Sequence, residues 1–142
     1  MKKSAGIIII LNDNKILLSH SVNSKWKKTF SFPKGGIEKG ETKIEAAIRE
    51  LQEETSIVIT QDQIFDTEPI VIEYNDKLGE IYKKVYLYKV YINDISEIGL
   101  TTEIVPYTSL QEDELDWCGF LTKEAALPRI FGRVEHLLDL IN

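Results

Sequence analysis

Apolar residues in this chain follow two spacings, runs or alternations suited to strands and two stretches with helical periodicity. Residues 6–11 form an unbroken, largely β-branched apolar run, the pattern of a strand covered on both faces. Asn12-Asp13-Asn14-Lys15 turns that run into a second strand at residues 16–19, with His20 expected as a polar residue leaving the sheet. Phe30-Ser31-Phe32 alternates like a short strand and Pro33 stops it. Residues 70–74, a turn at 75–79 and a long strand at 80–92 predict a hairpin. In the long strand Tyr82, Lys84, Tyr86 and Tyr88 share one face, and Ile81, Lys83, Val85 and Leu87 share the other. Helical spacing places Ile44, Ala47, Ile48 and Leu51 in one arc of about 100° over residues 43–55, with Thr42 as the cap. The same spacing over residues 129–141 (Ile130, Phe131, Val134, Leu137, Leu138, Ile141) predicts an amphipathic terminal helix packed on the sheet. Residues 61–69 and 97–110 read as irregular. The order of elements predicts an α/β fold, one sheet layer with helices on both sides.

Composition narrows the partners. With 142 residues and 43% hydrophobic content, one domain spanning 1–142 is expected. A net charge of −6 opposes broad attraction to nucleic acid or an anionic membrane, so a phosphate-bearing ligand needs a local basic cluster and a metal. No run approaches the ~20 apolar residues of a membrane span. Cys118 is the only cysteine, which excludes an internal disulfide and fits a reducing cytoplasm.

The candidate chemistry lies in residues 35–57. Gly35, Gly36 and Gly40 belong to a loop that permits tight turns and close backbone approach. Behind it, Glu50, Glu53 and Glu54 occupy a helical arc separate from the apolar one, with only Ala46 beside them. Three carboxylates at i, i+3, i+4 repel one another, and a hard divalent cation removes the conflict. Oxygen ligands suit Mg²⁺ or Mn²⁺ rather than zinc. Ahead of the loop, Lys25-Trp26-Lys27-Lys28 is the most basic segment, and Trp26 within it is a candidate base contact.

The spacing Gly35, five residues, Glu41, seven residues, Arg49-Glu50-Leu51, one residue, Glu53-Glu54 resembles the box of the Nudix hydrolase family. Ser56 stands where the family has glycine, at a helix end where left-handed geometry is cheap for glycine. The resemblance implies a Nudix α/β/α sandwich with a mixed sheet, a box loop and helix and a C-terminal helix. It also implies Mg²⁺ at Glu50, Glu53, Glu54 and Gly35, with Arg49 orienting the carboxylates and Glu41 bracing the loop and Arg49. The entry Phe30-x-x-Pro33-Lys34-Gly35 resembles the branch that includes diadenosine tetraphosphate hydrolases and mRNA-decapping enzymes, although that branch has Trp where this chain has Phe30. It makes Lys34 a phosphate ligand, and Lys83-x-Val85 also resembles the dinucleoside-polyphosphate branch, which makes Lys83 a further contact. Tyr86, on the ring and cation face of the long strand, is a candidate base or phosphate contact. Glu114, six residues before Phe120, matches a carboxylate that in relatives serves as a further metal ligand or a general base from a mobile loop, and Phe120 is expected to open a strand. Glu53 and Glu114 are both candidates for the general base. The implied reaction is metal-dependent hydrolysis of a phosphoanhydride in a nucleoside polyphosphate, most like a dinucleoside polyphosphate. The alternatives are an RNA 5′-pyrophosphohydrolase, a nucleoside triphosphate pyrophosphatase, or a non-catalytic nucleotide-sensing module.

Overall fold

The computed structural model describes residues 1–142. Its spine is β1 (Lys2–Leu11), buried from Ser4 onward. A strand can be apolar on both faces only if both are covered, and here alternation divides the run. Ile7 and Ile9 enter one core cluster, and Ile8 and Ile10 enter the other. Toward its C-terminal end β1 pairs antiparallel with β2 (Lys15–Ser21), and toward its N-terminal end with β3 (Lys34–Gly36). On its other side β5 (Ile81–Ile92) runs parallel to it, from Lys2 opposite Lys83 to Leu11 opposite Ile92. The edges are β4 (Ile70–Asn75), paired to β5, and β6 (Leu115–Thr122), paired to β2. The result is a six-stranded mixed sheet of order β4-β5-β1-β2-β6 with β3 beside β1.

Helix α1 (Lys43–Thr55) covers one face and has the span its periodicity predicts. Thr42 and Glu45 form a reciprocal capping box that satisfies two N-terminal amides. The helix ends at Ser56 in left-handed geometry, φ 65°, as a residue in the place of glycine must be. Ser56 Oγ donates to Ser109 O at 2.7 Å, which offsets a strain of comparable size, about 1 kcal/mol.

The opposite face departs from the sequence reading. No α-helix spans 129–141: α2 is only Lys123–Ala126, and Gly132–Leu140 is a 3₁₀ helix. Residues 129–131 are tied to Phe30 by two backbone hydrogen bonds and an isolated parallel bridge, so the chain is still extended where an α-helix was expected to start. Val134, Leu137 and Leu140 then recur every third residue, which matches the three-residue turn. Val134, Leu137 and Leu138 are buried as expected of the packed stripe.

Three smaller differences bear on the site. Gly35 and Gly36, read as loop, continue a strand from Lys34, with Lys34, Gly35 and Gly36 opposite Gly6, Ala5 and Ser4 in that order, and of the box glycines only Gly40 has positive φ. Gly6 permits that pairing, since a Cβ there would lie 2.5 Å from Pro33 O. Strand β6 opens at Leu115, leaving Phe120 in its interior and Glu114 immediately before it. The tyrosine face of β5 turns toward α1, where Tyr88 is buried and Tyr86 packs against the same core. No helix is long and apolar enough to cross a membrane.

Candidate active site

Strand β3 delivers Lys34 and Gly35 to the start of the site, the turn at Gly40 reverses the chain, and α1 returns alongside with its carboxylates. Arg49 is the hub. Its Nε and Nη2 donate to the two carboxylate oxygens of Glu41 in a fork-to-fork pair, and Nη2 also donates to Gly36 O at 2.9 Å. Its Nη1 donates to Glu50 at 2.9 Å and to Glu53 at 3.0 Å. One guanidinium therefore ties the loop to the helix and partly neutralises three carboxylates. The Glu41 carboxyl is held below the usual carboxylate range, chiefly by its hydrogen bond to Arg49.

Glu54 has the opposite environment. It is only 9% exposed, and burial, aided by the neighbouring charge of Glu50, pushes its carboxyl up to about 8. Its Oε1 accepts the backbone N–H of Lys34 at 3.2 Å, and the charges of Lys34 and Glu114 both act on it. Burial also raises Glu50, against the opposing pull of Arg49. Glu53 and Glu114 are the more open carboxylates, Glu114 lying on the exposed turn ahead of β6. In this conformation the three box carboxylates do not converge on one point, since Glu50 and Glu53 lean on Arg49 while Glu54 turns to Lys34.

Lys83 lies on the far side of Lys34. Burial and then the positive fields of Lys34 and Lys2 lower its amine below the usual lysine value. Its Nζ is 5.1 Å from the Tyr74 ring centroid, and Arg133 is 4.4 Å from the same ring. Phe131 lies nearly parallel to Tyr74 at 6.4 Å, and an open cleft of about 800 Å³ runs over Lys2, Tyr74, Tyr82 and Lys83. Sequence reasoning missed Tyr74, Phe131 and Arg133. The only available signal was an aromatic at the end of a strand facing Lys83, and its cation partner comes from a distant segment. Of the other expected contacts, Tyr86 lies on the opposite face of β5 beneath Lys43 Nζ, at 4.8 Å. Trp26 stands apart from both groups, stacked on His20. His20, expected to leave the sheet, is fully buried because loop 22–29 folds back over it.

A sequence model of the NUDIX domain matches residues 1–135. The chain belongs to the Nudix family. Among curated proteins this Nudix chain is similar to an RNA pyrophosphohydrolase of Pelagibacter ubique, 39% identical over 40% of this chain and 35% of that protein. It is also similar to an ADP-ribose pyrophosphatase of Methanocaldococcus jannaschii, 48% identical over 35% of this chain and 30% of that protein. The chain thus aligns with less than half the length of these relatives. Among solved structures, an Ap4A hydrolase from C. elegans in a binary complex superposes with TM-score 0.69 and 23% identity. The match covers 99% of this chain and 94% of that one, and it shows the fold.

The Nudix carboxylates suit a hard divalent cation. Two of them, Glu50 and Glu54, are partly desolvated with raised carboxyls, and two, Glu50 and Glu53, share the Arg49 guanidinium, so oxygen donors with unrelieved charge lie within one helical turn. Gly35 leaves room for the Glu50 carboxylate, because a Cβ there would fall 2.1 Å from its carboxylate carbon. That carbon is at the end of a flexible chain, so Gly35→Ala is expected to displace Glu50 rather than to unfold the protein. Activity should fall by about 10²-fold with a shift in Tm of only a few degrees, and a kinetic assay beside a melting curve tests both.

The raised Glu54 carboxyl makes a second prediction. Its folded value of about 8 lies above the unfolded 4.5, so its contribution to stability is full below 4.5 and is lost as pH rises through 8. Mg²⁺ favours the ionised form, so the gain in Tm on adding it should be larger at about pH 8.5 than at about pH 6. Equal gains at both values would contradict the placement of Glu54 at the metal.

Proposed function

We propose that this protein hydrolyses a phosphoanhydride bond in a nucleoside polyphosphate, with a dinucleoside polyphosphate as the leading substrate and Mg²⁺ held by Glu50, Glu53 and Glu54. The observation that carries this reading is the position of Lys34. Its backbone N–H meets the buried Glu54, and its ammonium shares a field with Lys83. Acidic and basic groups thus adjoin at one point, as a phosphate chain bridged to a cation requires. Bound Mg²⁺ would supply charge stabilisation to the phosphoanhydride oxygens and a more acidic water.

The chain's own groups take the remaining roles. Lys34 and Lys83 hold phosphate oxygens, and Arg49 keeps Glu50 and Glu53 aligned. Either Glu53 or Glu114 accepts the proton of the attacking water as its oxygen bonds to phosphorus and the bridging P–O bond breaks. Tyr74, with Arg133 and Phe131 around it, offers an aromatic surface for a base beyond Lys83. The backbone of Gly35, which lies beside Glu50, would join the carboxylates in holding Mg²⁺.

A second reading, RNA 5′-pyrophosphohydrolase, is favoured by a relative from Cereibacter sphaeroides named an RNA pyrophosphohydrolase, 29% identical over 69% of this chain and 66% of that protein. A substrate panel separates the two. Diadenosine tetraphosphate, nucleoside triphosphates, ADP-ribose and 5′-triphosphorylated RNA are compared by kcat/KM with Mg²⁺. The leading reading expects the dinucleotide ahead by about tenfold, or about 1.4 kcal/mol. An RNA substrate ahead by the same margin replaces it.

A further inference from the structure

The two tryptophans of the chain, Trp26 and Trp117, both border one small cleft of about 270 Å³, with Phe30, Leu121, Ala125 and Arg129 completing it. Trp26 is 56% exposed, yet it is held firmly. One face of its indole lies on the His20 ring at 4.2 Å and 10°, and its flank meets Phe30 at 5.3 Å. His20 is fully buried, and both its nitrogens face acceptors. Nε2 donates to Lys25 O at 2.8 Å, and Nδ1 shares a hydrogen bond with Asp116 Oδ1 at 2.6 Å. An imidazole buried without partners would be unfavourable, whereas this one staples loop 22–29 to β6. Lys28 anchors the end of the same loop on Leu127 O and Glu135.

A half-exposed indole gains little from burial, so the ordering of its loop needs another use. A fixed aromatic face beside cations is a stacking platform for a base. Arg129 supplies one cation at the cleft, and Lys25 and Lys27 flank Trp26 in the loop. Phe30 borders the cleft and lies four residues before Lys34, at most about 14 Å away along the chain. A base in the cleft can therefore belong to the ligand whose phosphates reach Lys34.

We infer that this cleft binds a nucleobase of the substrate on the open face of Trp26, with His20 as the positioning residue that holds the platform. The inference rests on the nucleoside polyphosphate reading and adds a base site separate from the Tyr74 group. The base is either the second one of a dinucleoside polyphosphate or a downstream one at an RNA 5′ end.

Because both indoles border the cleft, intrinsic fluorescence reads it directly. With divalent metal chelated to prevent turnover, diadenosine tetraphosphate or a 5′-triphosphorylated RNA dinucleotide should quench saturably, and base-free tripolyphosphate should not. Trp26→Leu, with Trp117 as the remaining reporter, should weaken that binding about tenfold and raise KM similarly, with a smaller change in kcat. His20→Gln should raise KM in the same direction and make Trp26 more accessible to iodide, a change that lost stability alone would not confine to KM. The ligand whose KM responds more identifies the source of the base. Equal quenching by tripolyphosphate, no quenching by either nucleotide, or an unchanged KM in Trp26→Leu would overturn the inference. If the wild-type protein hydrolyses no nucleoside polyphosphate, the reaction reading fails by itself, and the quenching experiment still decides the cleft.

Discussion

Glu54→Gln is expected to lower kcat by about 10²-fold or more while the protein stays folded. The amide is nearly the shape of the carboxyl and keeps an oxygen to accept the Lys34 N–H, so the contact between α1 and β3 survives. What disappears is the negative charge, at a buried position where nothing else replaces it. The variant mimics the protonated state that burial already favours, so metal-free stability at neutral pH should be equal to or higher than that of the wild type. The gain in Tm on adding Mg²⁺ should shrink with kcat. Full activity in this variant would remove Glu54 from the metal.

Arg49→Ala should be the most damaging single change to both stability and activity. It leaves the Glu41 carboxylate, 14% exposed, without its two-pronged partner, and Glu50 and Glu53 without the group that separates their charges. It also frees Gly36 O, the tie between the loop and the helix. Loss of charged hydrogen bonds at partly buried groups predicts a destabilisation of about 3 kcal/mol in denaturant unfolding. Arg49→Lys retains a charge but not the fork, so it should recover only part of that loss. If Arg49→Ala unfolds at the wild-type denaturant concentration, the network is ornamental and the loop is held by its strand pairing alone.

The legible parts of this structure were those decided locally. The span of α1, its Thr42 cap and the left-handed Ser56 follow from spacing and from which residues tolerate each backbone geometry. The turn after β1 and the alternation of β5 were readable for the same reason. The parts missed depend on contacts between distant residues. Burial of His20 needs Asp116, ninety-six positions away, and the Tyr74 group needs Arg133 and Phe131 from the terminal segment. The 3₁₀ geometry of Gly132–Leu140 depends on residues 129–131 being held extended against Phe30, which no local pattern encodes. Within the site, the carboxylates could be placed on one face of a helix from sequence. Their unequal protonation, with Glu41 lowered and Glu54 raised, comes from Arg49 reaching one and burial enclosing the other.

The proposed activity of this Nudix box is metal-dependent hydrolysis of a nucleoside polyphosphate. Its most direct test is the rate of product release from diadenosine tetraphosphate by the wild-type protein and by Glu54→Gln, each with Mg²⁺ and with the metal chelated. Full turnover is expected only for the wild type with Mg²⁺, with a loss of about 10²-fold or more in the other three conditions. Turnover that is indifferent to both metal and Glu54, or no turnover of any nucleoside polyphosphate, would contradict it.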